Sequence, residues 1–116
     1  MHRYKKLQVW QKSIDLAVEI YRITENLPKQ EQYGLISQIN RAAISIPSNI
    51  AEGAGRNSNK EFINFLGYSL GSSFELDTQL IISNKLNYID DFSFEKAIEE
   101  LDIIQNMLVK LIKSLK

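Results

Sequence analysis

Ala97, Leu101, Ile104, Leu108, Leu111 and Leu115 recur at alternating spacings of four and three through the last part of the chain. An α-helix places residues so spaced on one face, and the seam they form suits helices packed along their length. Ile98, Ile103, Met107 and Ile112 widen it. The helical period returns three times upstream, so the chain reads as four amphipathic helices. Two prolines and five glycines in 116 residues leave few places to break them.

The first helix is expected from about Val9 to Leu27, stopped by Pro28. It carries two apolar stripes. One is Trp10, Ile14, Ala17, Tyr21 and Thr24; the other is Leu16, Ile20, Ile23 and Leu27. A helix burying one face of a bundle needs a stripe of only about 100°, so the second stripe predicts contact with a neighbouring subunit. The second helix is expected from about Gln32 to Glu52, with Leu35, Ile39, Ala42, Ile46 and Ile50 apolar and Gly53 and Gly55 as its stop. Pro47 lies inside it. Proline removes a helical donor and crowds the carbonyl four residues back, yet the apolar spacing continues, which predicts a kink at Pro47 rather than a break.

The third helix opens with a capping box, Ser58 with Glu61, and continues through Phe62, Phe65, Leu66, Leu70, Phe74, Leu80 and Ile81 to about Lys85. Gly67 and Gly71 each cost a helix interior about 1 kcal/mol against alanine, so close packing of another helix is expected there. The fourth begins near Ser93, with Phe92 placed to staple its first turn. Short connections make successive helices antiparallel. The expected architecture is one all-α domain over residues 1–116, an antiparallel up-down-up-down four-helix bundle, with residues 1–8 as a basic amino-terminal arm.

Formal net charge is zero, so bulk electrostatics predicts no polyanion binding. The distribution is less even. His2, Arg3, Lys5 and Lys6 make the basic arm, and Lys110, Lys113 and Lys116 a basic end; Asp90, Asp91, Glu95, Glu99, Glu100 and Asp102 make an acidic stretch broken by Lys96. Solvated helix termini explain much of this, because acids suit amino ends and bases carboxyl ends. A docking surface is the other reading. There is no cysteine, which suits a reduced cytoplasmic setting, and no stretch reaches the roughly 20 apolar residues of a membrane span.

The sole histidine is His2. Histidine-activated nucleophiles, paired-histidine metal sites and the Glu-x-x-His pattern of di-metal bundles therefore lack their residues. Glu99, Glu100 and Asp102 read better as a solvated face than as a magnesium cluster, and Gly53-Ala54-Gly55 follows no strand and is no phosphate loop. An enzyme using Glu52, Glu61 or Glu75 with magnesium is the least favoured reading. No cofactor and no catalytic or metal-ligating residue is expected.

One polar constellation stands out. Arg41, Ser45, Ser48 and Glu52 recur at spacings of four, three and four along helix two, flanked by Asn40 and Asn49, with Arg56 just beyond. Polar groups on a helix that also packs must be satisfied or solvated. Three readings stand: an internal network reaching Glu75 or Gln79 on helix three, a subunit interface or channel lining, or phosphate contact through Arg41 and Arg56. The candidate nucleic-acid contacts are Arg3, Lys5, Lys6, Arg41, Arg56 and Lys60.

The run Gln38-Ile39-Asn40-Arg41-Ala42-Ala43-Ile44-Ser45-Ile46-Pro47-Ser48-Asn49-Ile50-Ala51-Glu52-Gly53 resembles the hallmark of a bacterial family. These are the four-helix-bundle proteins encoded in intervening sequences of large-subunit ribosomal RNA genes. Val9-Trp10-Gln11-Lys12, Tyr33-Gly34-Leu35, Gly71-Ser72 and Glu75-Leu76 add to the likeness, which spans nearly the whole chain. Asn40 stands where the family usually has a basic residue, which weakens the charge-based case for RNA contact at this segment. The resemblance implies a ring-like homopentamer without an established molecular role. The fold is also similar to the pentameric accessory protein of diversity-generating retroelements, which engages nucleic acid and a reverse transcriptase through a basic surface. The expectation is a non-enzymatic homo-oligomeric binding protein with structured RNA or another nucleic acid as a candidate partner; the alternative is an adaptor for protein partners alone. No membrane role is expected.

Overall fold

The computed structural model describes residues 2–116. Four long helices account for most of them: α1 Gln8–Thr24, α2 Leu35–Ala54, α3 Asn59–Lys85 and α4 Asp91–Leu115. Single 3-10 turns, Tyr4–Lys6 and Lys29–Glu31, precede α1 and α2. No strand occurs among the described residues. The helices pack in the ring order α1, α2, α3, α4, with α4 closing against α1. This is a four-helix bundle, 43 Å long and 24 × 20 Å across.

Directions follow from contacts. Gly53 lies against Phe62 and Phe65, the Ile46 carbonyl accepts a hydrogen bond from Ser69, and Ser45 Oγ accepts one from Ser72 at 2.8 Å. Residue numbers fall along α2 as they rise along α3, so the two run antiparallel. His2 meets Ala54 at one end of the α1–α2 pair and Thr24 meets Asn40 at the other. Residues 86–90 can span only about 20 Å, whereas 27-residue α3 is about 40 Å long. α4 can therefore pack on α3 only by returning alongside it.

The core repeats the expected periodicity. Leu16, Ile20 and Ile23 from α1, Ile39, Ala42, Ile46 and Ile50 from α2, Phe62, Leu66, Leu76 and Leu80 from α3, and Ala97, Leu101, Ile104 and Leu108 from α4 are all buried. α2 runs through Pro47 without a break.

Helix ends depart from the expected punctuation. α1 stops at Thr24 rather than Leu27, because the residue before Pro28 is disfavoured in helical geometry and Thr24 turns its hydroxyl to the Tyr21 carbonyl and Asn40. α2 starts at Leu35, after the 3-10 turn. Gly53 does not stop it: the glycine is buried within α2, and Gly55 caps the helix with ordinary right-handed geometry. The left-handed stop is instead Asn87 after α3 (φ 63), a residue that tolerates this region. Half of the capping box forms, with the Glu61 amide donating to Ser58 Oγ at 3.2 Å while the Glu61 carboxylate meets the Ser58 hydroxyl rather than its amide. Phe92 staples nothing and is 79% exposed.

Asp90 caps α4 instead, its Oδ1 accepting from the Ser93 amide at 2.7 Å. That bond holds the Asp90 carboxyl below its ordinary value of 3.8. A carboxylate lowered on folding stabilises fully above its unfolded pKa and loses that contribution as pH falls through its folded one. Acidification below 3.8 is expected to fray the first turn of α4, read as faster amide exchange at Ser93 and Phe94. Asp90→Asn, an uncharged cap, should remove the pH dependence.

Candidate functional site

The basic arm folds across the turn between α2 and α3. The His2 amide donates to the Ala54 carbonyl at 2.8 Å, one of the acceptors that the end of α2 leaves without a helical partner. The His2 ring packs on Phe62 at 4.8 Å between centroids, and its Nε2 lies 3.3 Å from Asn59 Oδ1. Tyr4 meets Trp10 edge to face at 5.3 Å, and Gln11 Nε2 donates to the Lys5 carbonyl at 2.8 Å. These contacts bring exposed Arg3, Lys5 and Lys6 to the end of the bundle that carries Arg56 and Lys60.

Arg56 lies over the Phe65 ring at 4.7 Å and reaches Glu52 only at 4.0 Å. The other ion pair among the described residues is Arg22 with Glu19, at the far end of α1. Arg3, Lys5, Lys6 and Lys60 therefore present charge that no acid of the described chain neutralises by contact. Five of the six candidate phosphate contacts gather at this end.

Arg41 does not join them. It lies 13 residues before Ala54 along α2, about 20 Å away. With Gln38, Ser45, Ser72, Glu75 and Gln79 it lines a polar groove of about 300 Å³ between α2 and α3. The polar constellation of α2 thus divides. Ser45 accepts from Ser72 of α3 and from Asn49 Nδ2, and Asn40 accepts from Thr24 of α1 at 3.1 Å. Ser48 faces the other way, into the α1–α2 side, and Glu52 pairs with Arg56. The network reaches Ser72 rather than Glu75 or Gln79, and Gln79 Oε1 is buried without a hydrogen-bond partner.

Two apolar surfaces stay open. Tyr4, Trp10, Ile14, Val18, Tyr21 and Ile44 line a groove of about 430 Å³ between α1 and α2. On α3, Gly67, Gly71, Phe74, Thr78 and Ile81 follow one another at spacings of four and three, and all are exposed. The close approach expected at Gly67 and Gly71 is absent within the chain, because a Cβ at either would meet nothing within 4 Å. Phe74 and Ile81 likewise leave the expected core stripe, at 52% and 41% exposed. The α3 core runs instead through Ser69, Ser72 and Ser73, whose hydroxyls bond to carbonyls or to Ser45 and so enter the interior satisfied. Polar character hid these positions from a hydrophobic-period reading.

No group of acids and histidines able to hold a metal ion occurs among the described residues, and no described helix is long and apolar enough to cross a membrane. Fold and surface together define a small helical bundle with one basic end and two uncovered apolar faces. Residues 5–110 match the model of the 23S rRNA-intervening sequence protein family, and the chain belongs to it. It is also similar to a solved structure from Bacteroides thetaiotaomicron, a protein of unknown function from the S23 ribosomal protein family. That likeness is 28% identical, covers 90% of this chain and 95% of the other, and has a TM-score of 0.84. No curated protein matches the chain.

Proposed function

We infer that this chain is a non-enzymatic, self-assembling binding protein whose basic end engages nucleic-acid phosphates. The observation that carries the reading is the arm itself. It is held by His2 across the α2–α3 turn, so that Arg3, Lys5 and Lys6 stand with Lys60 as cations without an acid in contact, beside Arg56, which reaches Glu52 at 4.0 Å. Lysine and arginine so placed suit phosphate contact, which positions a nucleic acid without reading its sequence. The family's association with 23S rRNA intervening sequences makes structured RNA the first ligand to test.

Self-assembly rests on the open faces. The α1–α2 groove and the Gly67–Gly71–Phe74 seam are apolar surfaces without a partner in the chain. Glycine at two exposed helical positions costs stability and is repaid where a second backbone packs closely. A ring, expected to be pentameric from the family likeness, would set several basic ends on one body, and avidity would then raise a weak per-subunit affinity.

The test has two readouts. Light scattering should give a multiple of 13.4 kDa at micromolar concentration, falling to the single-chain mass for Phe74→Glu. Binding to ribosomal RNA fragments should weaken steeply with added salt. A single-chain mass for the wild type would sink the assembly part, and salt-insensitive or absent RNA binding the other. The exposed Phe92 beside Asp90 and Asp91 favours a second reading, an adaptor for protein partners. Partners retained through nuclease treatment and high salt would favour it.

A further inference from the structure

The basic residues of this neutral chain concentrate at one end of its long axis, and the unevenness arises from the fold. α4 returns antiparallel to α3, and the two are of similar length, 25 and 27 residues. Its last turns therefore come back level with Asn59 and Lys60. Along α1, Lys12 and Asp15 line one hollow with Glu100, Ile103 and Ile104 of α4, which sets the register. From Ile104 to Leu115 α4 climbs about 16 Å further, whereas α1 has only about 6 Å left from Lys12 to Gln8. The carboxyl-terminal turns of α4 thus reach the same end of the bundle as the amino-terminal arm, which packs on α1 and α2. Leu7, Leu111, Ile112 and Leu115 all pack on the core at this end.

Lys110, Lys113 and Lys116 are exposed there. Of the 14 acidic residues, only Glu52 and Glu61 belong to this end; every acid of α4 lies at or before Asp102, and the first acid of α1 is Asp15. One end of the bundle is therefore strongly basic, built from the arm, the α2–α3 turn and the carboxyl terminus of α4. The opposite end is mixed, with Asp90, Asp91 and Glu95 set among Lys29, Lys85 and Lys96.

The aromatic rings nearest these cations are engaged by other side chains, while Tyr4 and Trp10 keep one side open to the α1–α2 groove and Tyr68 is 59% exposed further along α3. His2 packs on Phe62, Arg56 lies over Phe65, and Tyr4 packs against Trp10. Single strands are held by stacking bases on open aromatic faces, whereas a double helix presents phosphates on its outside and needs only charge. A face of 24 × 20 Å is wide enough to meet both strands of a duplex.

Resting on the reading of the basic end as a phosphate-binding surface, we propose that Lys110, Lys113 and Lys116 complete that surface, and that its ligand is the backbone of a double-helical nucleic acid held end-on to the bundle. The α4 lysines supply one side of the contact, the arm and Arg56 the other. Binding is independent of base sequence.

Fluorescence anisotropy of the full chain, at several salt concentrations, tests this with a duplex RNA of about 20 base pairs, a duplex DNA of the same sequence and one separated strand. The K110Q/K113Q/K116Q variant is expected to bind duplex at least about tenfold more weakly, with the salt slope reduced by about 3. A control variant, K29Q/K85Q/K96Q, changes the same number of charges at the other end and should bind as the wild type does. Circular dichroism establishes that both variants remain folded. An unchanged slope and affinity in the α4 variant, together with a large loss in K5Q/K6Q/R56Q/K60Q, overturns the proposal and leaves the basic-end reading standing. A tenfold preference for the single strand overturns the duplex assignment. Absence of salt-sensitive binding by the wild type to any of the three ends both. Duplex RNA bound in preference to DNA assigns the ligand as RNA; equal binding assigns a generic duplex backbone.

Discussion

Phe62→Ala is expected to cost about 3–5 kcal/mol of folding stability, the usual range for removing a buried aromatic side chain. The ring is 1% exposed, and its Cδ1 lies at the crossing of α2 and α3, where Gly53 makes room for it. Against a total stability of about 5–15 kcal/mol for a domain, the variant would be marginal, and urea denaturation monitored by circular dichroism measures the loss. A second consequence separates packing from function. Phe62 is also the surface on which the His2 ring rests, so losing it should release the arm and its three cations from the basic end. Phe62→Leu keeps most of the buried volume and should cost less than about 2 kcal/mol. It should nevertheless speed amide exchange at His2, whose N–H is held by the Ala54 carbonyl. An unchanged exchange rate in Phe62→Leu would mean that the backbone bond alone holds the arm.

Gly53→Ala and Gly71→Ala should move stability in opposite directions. Both glycines are helical, and intrinsic propensity favours alanine by about 1 kcal/mol at either. At Gly53 the added Cβ would stand 2.5 Å from Phe65 Cβ, 3.0 Å from Phe62 Cδ1 and 3.3 Å from the Phe62 carbonyl oxygen. Phe65 Cβ is tied to the α3 backbone and cannot swing away, so α2 and α3 must separate. The overpacking outweighs the propensity gain, for a net loss of about 1–3 kcal/mol. At Gly71 nothing lies within 4 Å, and in the unassembled chain the propensity gain should stand alone. Denaturation midpoints of the two variants on the same probe check the sign. A stabilising Gly53→Ala would mean that the α2–α3 crossing is looser than its geometry indicates.

The glycines also mark how far a linear reading reaches. All five are equally visible in the chain, and reading Gly53 as a stop and Gly67 and Gly71 as a packing site follows sound local rules. Their roles are exchanged in the bundle. Gly53 is the place where two helices press together, and Gly67 and Gly71 face outward. A glycine's helical cost is local, but its compensation lies on another helix, and nothing in the local pattern names that helix. Phe74 and Ile81 make the same point, because their spacing suits a core position and their placement on α3 turns them out of the core.

The polar constellation of α2 was legible as a group and not as a site. Its spacing predicted one face, whereas Ser45 turns to α3, Ser48 to the α1 side, and Arg41 sits about 20 Å from the end that carries the other candidate arginines and lysines. Residues at spacings of three and four spread over a wide arc of a helix that packs on both flanks, and small angular differences decide which neighbour each meets. The basic arm was visible from its charges, but its anchoring through His2, Ala54 and Phe62 joins residues more than 50 positions apart.

Four helices, a central seam on each and the run from Gln38 to Gly53 that marks the family could all be settled from residue order alone, because a helix is specified by neighbours three and four positions away. Tertiary structure decided which apolar stripes are buried and which stay open, where a missing Cβ matters, and that a chain of zero net charge carries one basic end. Those outcomes depend on distances between helices. Antiparallel packing sets them by bringing the arm, the α2–α3 turn and the last turns of α4 to the same end of the bundle.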